Sequence, residues 1–235
     1  TEVRRARQWP DPQLTGGSAS LSPVAVFGGT FNPVHFGHLR SSLELVETLG
    51  LAEMRLMPSA VPPHREPPGC SAAHRAAMVE LAVADEPRLR CDARELKRPG
   101  PSYSLDSLVE ISRELDNSHS LSLVMGYDAL VALDTWHRWR ELLDWAHIIV
   151  IGRPGWQLPD SGPVGRWLRK QRRATADALQ RRRAGAVIMT QLRPLPISAT
   201  EIRGLLEEGR SVRYLLPAVV LDYIERHGLY GAGRV

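Results

Sequence analysis

Hydrophobic positions along the chain fall into short unbroken apolar runs separated by stretches of helical period, the alternation expected of a parallel sheet with crossover helices. Val24-Ala25-Val26-Phe27 is the first such run, and it passes directly into Gly28-Gly29-Thr30, where a backbone without side chains can approach a ligand closely. Asn32-Pro33 then turns the chain, and from about Gly37 to Leu49 the residues Leu39, Leu43, Val46 and Leu49 recur on one helical face. Met54 to Pro58 reads as a second strand, which makes a strand–helix–strand crossover of the right-handed kind. The pattern next predicts a helix over 72–84, with Ala76, Val79, Leu81 and Val83 as its apolar surface, then a strand from Leu89 to Cys91. A helix from Leu105 to Leu115, a central strand from Leu121 to Met125 and a short helix from Ala129 to Leu133 follow. Strands at His147 to Ile151 and Ala186 to Met189, then Val212 to Leu216 and an amphipathic helix from Pro217 to His227, close the series. The fold class implied is α/β, a Rossmann-like doubly wound parallel sheet with a small C-terminal helical part.

Three stretches stand outside that alternation. Thr1 to Pro23 is polar, carries Pro, Gly and Ser and has no period, so residues 1–22 are expected to form a flexible tail ahead of a single domain over 23–235. The loop from Ser59 to Cys70 contains Pro62-Pro63-His64-Arg65 and Pro67-Pro68; it is either a Pro-stiffened connector or, the preferred reading, a flap that brings His64 and Arg65 to an acceptor phosphate. Arg169-Lys170 and Arg172-Arg173 accompany Trp167 and Leu168 in a stretch read as helical with a solvated face.

Composition narrows the chemistry. With 235 residues, 43% of them hydrophobic, the chain can bury a sizeable core. No run of about 18 apolar residues is present and the start lacks an apolar signal region, so a cytoplasmic protein without a membrane span is expected. Cys70 and Cys91 lack metal-ligand spacing and are expected as plain thiols. The net charge is +4, yet eight of the 30 basic residues lie between Arg166 and Arg183 beside the single acid Asp177. The basicity is therefore local, unlike the broad field of a nucleic-acid binder. Lys97 and Lys170 are the only lysines, so no G-x-x-x-x-G-K-[ST] phosphate loop exists and a covalent lysyl-adenylate has no obvious site. Any triphosphate must be held by Arg, His and backbone N–H groups.

Candidate site residues lie where strands end and helices begin. His35 and His38 head the first helix, where free N–H groups and the helix dipole attract phosphate. Ser104 has the chemistry to N-cap its helix and could also meet a ligand. Gly126 allows close approach after the central strand, and Asp128 either holds ribose hydroxyls or caps the short helix, the ribose being preferred. Trp136, His137 and Trp139 form an aromatic cluster; a Trp there either packs in the core or stacks on a flat heterocycle. Ser198 to Glu201 fits an S-x-x-E capping box, to which Thr200 and Arg203 add a hydroxyl and a guanidinium.

Read together, G-G-T-F-N-P-V-H-F-G-H at Gly28 to His38, V-P-P-H-R at Val61 to Arg65, E-L-K-R-x-x-x-S-Y-S at Glu95 to Ser104 and G-Y-D at Gly126 to Asp128 occur in order. So do T-W at Thr135-Trp136, G-R-P-G at Gly152 to Gly155, I-S-A-T-E-I-R at Ile197 to Arg203 and L-L-P through H-G-L-Y at Leu215 to Tyr230. Over everything after residue 22 the chain resembles the bacterial nicotinate mononucleotide adenylyltransferases of NAD biosynthesis. That resemblance implies transfer of AMP from ATP to nicotinate mononucleotide, giving deamido-NAD and pyrophosphate. It implies catalytic roles for His35, His38 and Arg203, and ATP contacts at Gly28, Gly29, Thr30, Phe31, Gly126, Asp128, Ser198 and Thr200. Ser104, Trp136 and His137 would surround the nicotinate, with His64 and Arg65 on the acceptor side. Mg²⁺ would arrive on the ATP phosphates, with no dedicated protein cage, and neither nucleic acid nor membrane is an expected partner. Two positions depart from the family pattern: Asn32 stands where Asp is usual, and His137 where an aromatic Tyr is usual. Two other readings are a different small-molecule nucleotidyltransferase, separable by a panel of acceptors, and a nucleic-acid-binding module built on Arg166 to Arg183, which requires strongly salt-dependent binding.

Overall fold

The computed structural model describes residues 20–60, 70–152, 157, 159–193 and 195–232. Seven strands occur among them: β1 (Ser22–Gly29), β2 (Glu53–Pro58), β3 (Leu89–Cys91), β4 (His119–Gly126), β5 (His147–Gly152), β6 (Arg172–Arg173) and β7 (Ala186–Gln191). They form one parallel sheet in the order β3-β2-β1-β4-β5-β7-β6. The helices between them are α1 (Phe36–Leu49), α2 (Ala72–Val83), α3 (Ser104–Glu114), α4 (Tyr127–Val131), α5 (Leu142–Trp145), α6 (Gly162–Leu168) and α7 (Ala178–Arg181), and α8 (Ala199–Glu207) and α9 (Ala218–Arg226) follow the last strand.

The sheet is apolar on both faces, as a buried parallel sheet must be. Ala25, Met54, Val124 and Ile188 face one core with Leu45 and Val46 of α1, Val79 of α2, Ile202 of α8 and Ile224 of α9. Val24, Val26, Leu123 and Val150 face the other, against Leu108 and Ile111 of α3, Leu142 of α5 and Val164 of α6. The expected doubly wound architecture is therefore present, and its order reverses between β1 and β4. In such sheets the crevice at the carboxyl ends beside that reversal receives the ligand. His147 is fully buried and ties β5 to its surroundings: its Nε2 lies 2.9 Å from the Arg182 carbonyl and its Nδ1 accepts from Ala186 N–H at 3.1 Å.

Three local expectations need correction. The basic stretch is not one helix: α6 ends at Leu168, and Arg172–Arg173 form an edge strand paired with Ala186 and Val187. Pairing to β7 outweighs helical period there, and charge is common on edge strands. On α2, Leu81 is 39% exposed while Met78 is buried, because residue 81 lies about 200° round the helix from Val79. Ser104 does not cap α3; the extended residue Tyr103 takes the N-cap position without a side-chain bond, and Ser104 is already in the first turn.

Candidate active site

β1 delivers Gly28 and Gly29 to the carboxyl edge of the sheet. Gly28 is exposed and a Cβ built there would meet nothing within 4 Å, whereas one at Gly29 would stand 3.0 Å from Cζ of Phe31. Phe31 itself takes a left-handed φ of 47° and is buried, with its ring edge-on to His38 at a centroid distance of 5.0 Å. Non-glycine residues rarely occupy that region, and such backbone commonly marks a functional turn. The Phe31 side chain thus packs beneath His38, while the open edge above the strand is left to Gly28.

His35 and His38 meet at the head of α1 with rings tilted by 32° and centroids 3.8 Å apart. Gly37 makes that arrangement possible: a Cβ on it would lie 2.9 Å from both Cε1 and Nδ1 of His35. Nδ1 of each ring is buried without a hydrogen-bond partner among the described residues. Burial lowers His35 to about 4; burial and, secondarily, the neighbouring His35 lower His38 to about 3. Both imidazoles are consequently neutral near pH 7, each with one N–H to give. The helix start offers less free backbone than its sequence suggested, since Phe36 N–H is taken by the Leu215 carbonyl at 3.0 Å.

α8 approaches the same turn from the C-terminal part. Ser198 caps it as expected, its Oγ accepting from Glu201 N–H at 3.1 Å. Arg203 donates through Nη1 to the Asn32 carbonyl at 2.7 Å and through Nη2 to Thr200 Oγ1 at 3.4 Å. Its remaining N–H groups are available to an anion. Tyr230, in the closing 3₁₀ turn, donates its hydroxyl to Asn32 Oδ1 at 2.6 Å. The side chain that departs from the family pattern is therefore a hydrogen-bond acceptor, and its link to Tyr230 is not visible in local sequence, since 198 positions separate the two.

The other half of the crevice is built after β4. Gly126 takes the N-cap position of α4 and makes no side-chain cap; Asp128 stands exposed in the first turn, so it does not cap the helix either. His137 stacks on Tyr103 with centroids 4.3 Å apart and planes 29° from parallel, which joins the aromatic cluster to the head of α3. Trp136 is half-buried against the core, and Trp139 is fully packed within it. No described residue accepts from the N–H groups of Ser104, Leu105 or His137, whereas Trp136 N–H is taken by the Leu133 carbonyl at 3.0 Å. His64 and Arg65 lie outside the described residues, and no group of three or more His, Cys, Asp or Glu that could hold a metal occurs among the described ones.

Sequence reading passed over Arg75. Only 1% exposed, it donates from Nη1 to the Thr30 carbonyl at 2.7 Å and from Nη2 to the carbonyls of Ser59 and Ala60 at 2.8 and 3.0 Å. The signal was present in the pattern: Arg75 shares the buried stripe of α2 with Ala76, Val79 and Val83, and an arginine within an apolar stripe needs an internal partner.

A parallel sheet with a glycine-rich β1 edge, a paired-histidine helix head and an Arg-bearing second helix aimed at the same turn is the construction of a nucleotidyltransferase. The cytidylyltransferase-like family model matches residues 26–205. The protein of Aeromonas salmonicida named "Probable nicotinate-nucleotide adenylyltransferase" is 46% identical over 211 residues, spanning 90% of this chain and 98% of its own length. That of Pseudomonas aeruginosa PAO1 is 48% identical over 211 residues, spanning 89% and 97%. Among solved structures, Plasmodium falciparum nicotinic acid mononucleotide adenylyltransferase complexed with NaAD aligns over 91% of this chain and all of its own, with a TM-score of 0.66 at 14% identity. The chain belongs to the nicotinate-nucleotide adenylyltransferase family.

Proposed function

We propose that this chain joins the AMP portion of ATP to nicotinate mononucleotide, releasing pyrophosphate and forming deamido-NAD. The observation that carries the reading is the His35–His38 pair, His35 buried and His38 half-buried, whose Nδ1 atoms have no partner among the described residues and which stands at a helix head beside Arg203. Neutral N–H donors poised without competing partners suit an arriving phosphate chain.

The acceptor phosphate is already a nucleophile, so no activated serine, cysteine or lysine is needed; alignment and charge stabilisation supply the catalysis. His38 donates to the α-phosphate oxygen that gains charge as the acceptor attacks in line. His35 and Arg203 hold the departing pyrophosphate, and Thr200 and the first turn of α8 extend that anion site. Gly28, Gly29 and Thr30 admit the nucleotide close to β1, with Gly126 and Asp128 on its adenosine side. Ser104, Trp136 and His137 receive the nicotinate. Magnesium enters as part of the MgATP substrate. The same reading sets the reaction in the cytoplasm, and among the described residues no helix is long and apolar enough to cross a membrane. Nucleic acid is not part of it, a view supported by local engagement of the basic segment: Arg181 pairs with Asp177, Arg169 with the Asp160 carbonyl and Arg183 with Asn117. The test is chromatographic identification of the product from ATP and nicotinate mononucleotide beside a panel of other phosphate acceptors. Deamido-NAD formed faster than any other product supports the assignment, and a faster reaction with another acceptor overturns it.

A further inference from the structure

Arg75 poses a physical problem that the transfer chemistry alone does not answer. A guanidinium removed from water normally keeps a carboxylate partner, because burying a lone charge is costly. Among the described residues no carboxylate pairs with Arg75, and its Nε has no acceptor. Three backbone carbonyls hold it instead, and they belong to two different loops. Thr30 follows β1, on the side that takes ATP; Ser59 and Ala60 follow β2, the strand on β1's other flank from β4. Ser59 N–H also donates to the Gly29 carbonyl at 2.9 Å, so the two strand ends are linked by backbone as well as by the guanidinium.

The other end of the Ala60 peptide also has a neighbour. Its N–H faces the carboxyl of Glu95 and works against the rise that burial imposes on that group's pKa; Glu95 is buried, and its Oε1 accepts from Ser107 Oγ of α3 at 3.0 Å. Arg98 donates to the same serine oxygen at 3.0 Å and to Ser102 Oγ at 2.6 Å. One cation therefore holds the carbonyl of Ala60, one buried carboxylic residue faces its N–H, and each carries on to a different substrate-facing element: the β1 turn through Arg75, the first turn of α3 through Glu95.

We propose that Arg75 and Glu95 are positioning residues that clamp the Ser59–Ala60 peptide between them and so set the distance between the ATP side and the acceptor side of the crevice. The inference rests on the adenylyl-transfer reading above. In-line attack tolerates little displacement, and an error of about 1 Å between reactants can cost ~10²-fold in rate. A clamp that spans both sides acts on that distance, while each half-site keeps its own contacts.

The test compares Arg75→Lys, which keeps the charge but cannot fork to two loops, and Glu95→Gln, which keeps the shape but loses the charge and one acceptor oxygen. For each, kcat with both substrates saturating is set beside the Kd of nicotinate mononucleotide alone and of a non-hydrolysable ATP analogue alone. Arg75→Lys is expected to lower kcat by at least about tenfold with each Kd within about threefold of the parent, and Glu95→Gln to lower kcat by about threefold with the same unchanged Kd values. Unchanged kcat in a folded Arg75→Lys protein, or a loss confined to the affinity for one substrate, overturns the clamp. If Arg75→Lys fails to fold, Glu95→Gln decides alone by the same criteria. Parent protein that makes no deamido-NAD would instead defeat the functional reading, an outcome visible before any variant is made.

Discussion

At the scale of single residues, Gly37 and Asn32 show how backbone and side chain divide the work at the histidine pair. A methyl group on Gly37 would stand 2.9 Å from the His35 ring, and that contact cannot be relieved without turning the imidazole away from its present place. Gly37→Ala should therefore lose ~10²-fold in kcat while melting near the parent, a comparison of turnover and Tm that separates misplacement from unfolding. Replacing His38 by Ala should cost about 10²–10³-fold, the scale of one lost oxyanion donor; near-normal kcat would remove it from the reaction. Asn32 behaves differently. Its Oδ1 accepts from Tyr230, and an aspartate offers the same oxygen, so Asn32→Asp should stay within about tenfold in turnover, or ~1.4 kcal/mol in activation free energy. Tyr230→Phe strips the donor and strands a buried oxygen at a cost of ~1–3 kcal/mol, so it should lower Tm more than Asn32→Asp does. The reverse order in thermal melts would mean the Tyr230 bond is not what Asn32 is there to make.

At the scale of elements, the proposed function makes the head of α3 and the turn after α4 the part that selects the pyridine. The N–H groups of Ser104, Leu105 and His137 have no described acceptor, and Tyr103 and His137 hold the two elements together by stacking. A carboxylate on the ring can accept from all of these donors, whereas the amide of nicotinamide mononucleotide has one acceptor oxygen and turns an NH₂ toward donors. The preference for nicotinate mononucleotide in kcat/KM at saturating ATP should be at least about tenfold and up to a few hundredfold, and parity would refute this account of the pocket. Much at this scale was legible in sequence, because the strands are short, largely apolar runs and α1, α3 and α9 each carry an apolar face at helical spacing. β3 was read from Leu89 to Cys91 and is found there. What escaped depends on partners far along the chain. β6 exists because β7 pairs with it, the extended residue Tyr103 rather than Ser104 takes the N-cap position of α3, and although Arg75 stands out within its stripe, neither the carbonyls that hold it nor the Tyr230–Asn32 bond can be read locally. The candidate residues could be named from sequence; the bonds that orient them could not.

At the scale of the whole molecule, buried neutral histidines set an acid limit on the fold. His35 is held to about 4 and His38 to about 3, chiefly by burial. His147 is also lowered, again chiefly by burial, although its bond to the Arg182 carbonyl opposes the shift. In the unfolded chain all three titrate near the ordinary value of about 6.5. Between that pH and the lowered folded values the unfolded state binds the extra protons, so stability is intact above about pH 6.5 and falls as pH drops toward 4, by up to ~1.4 kcal/mol per pH unit for each group. Paired carboxylates such as Asp92 and Glu114, lowered in the folded state, lose their contribution only further down, so the histidine part of the slope comes first. Denaturant midpoints measured from pH 7.5 to 4 should show a decline that begins near 6.5, and His35→Gln, which cannot charge, should flatten it. His147→Gln tests a group remote from the crevice and should flatten the same limb without the loss of turnover expected at His35. A midpoint flat down to pH 4.5 in the parent would mean that the imidazoles accept protons inside the fold, and the reading of His35 and His38 as neutral donors to phosphate would fall with it.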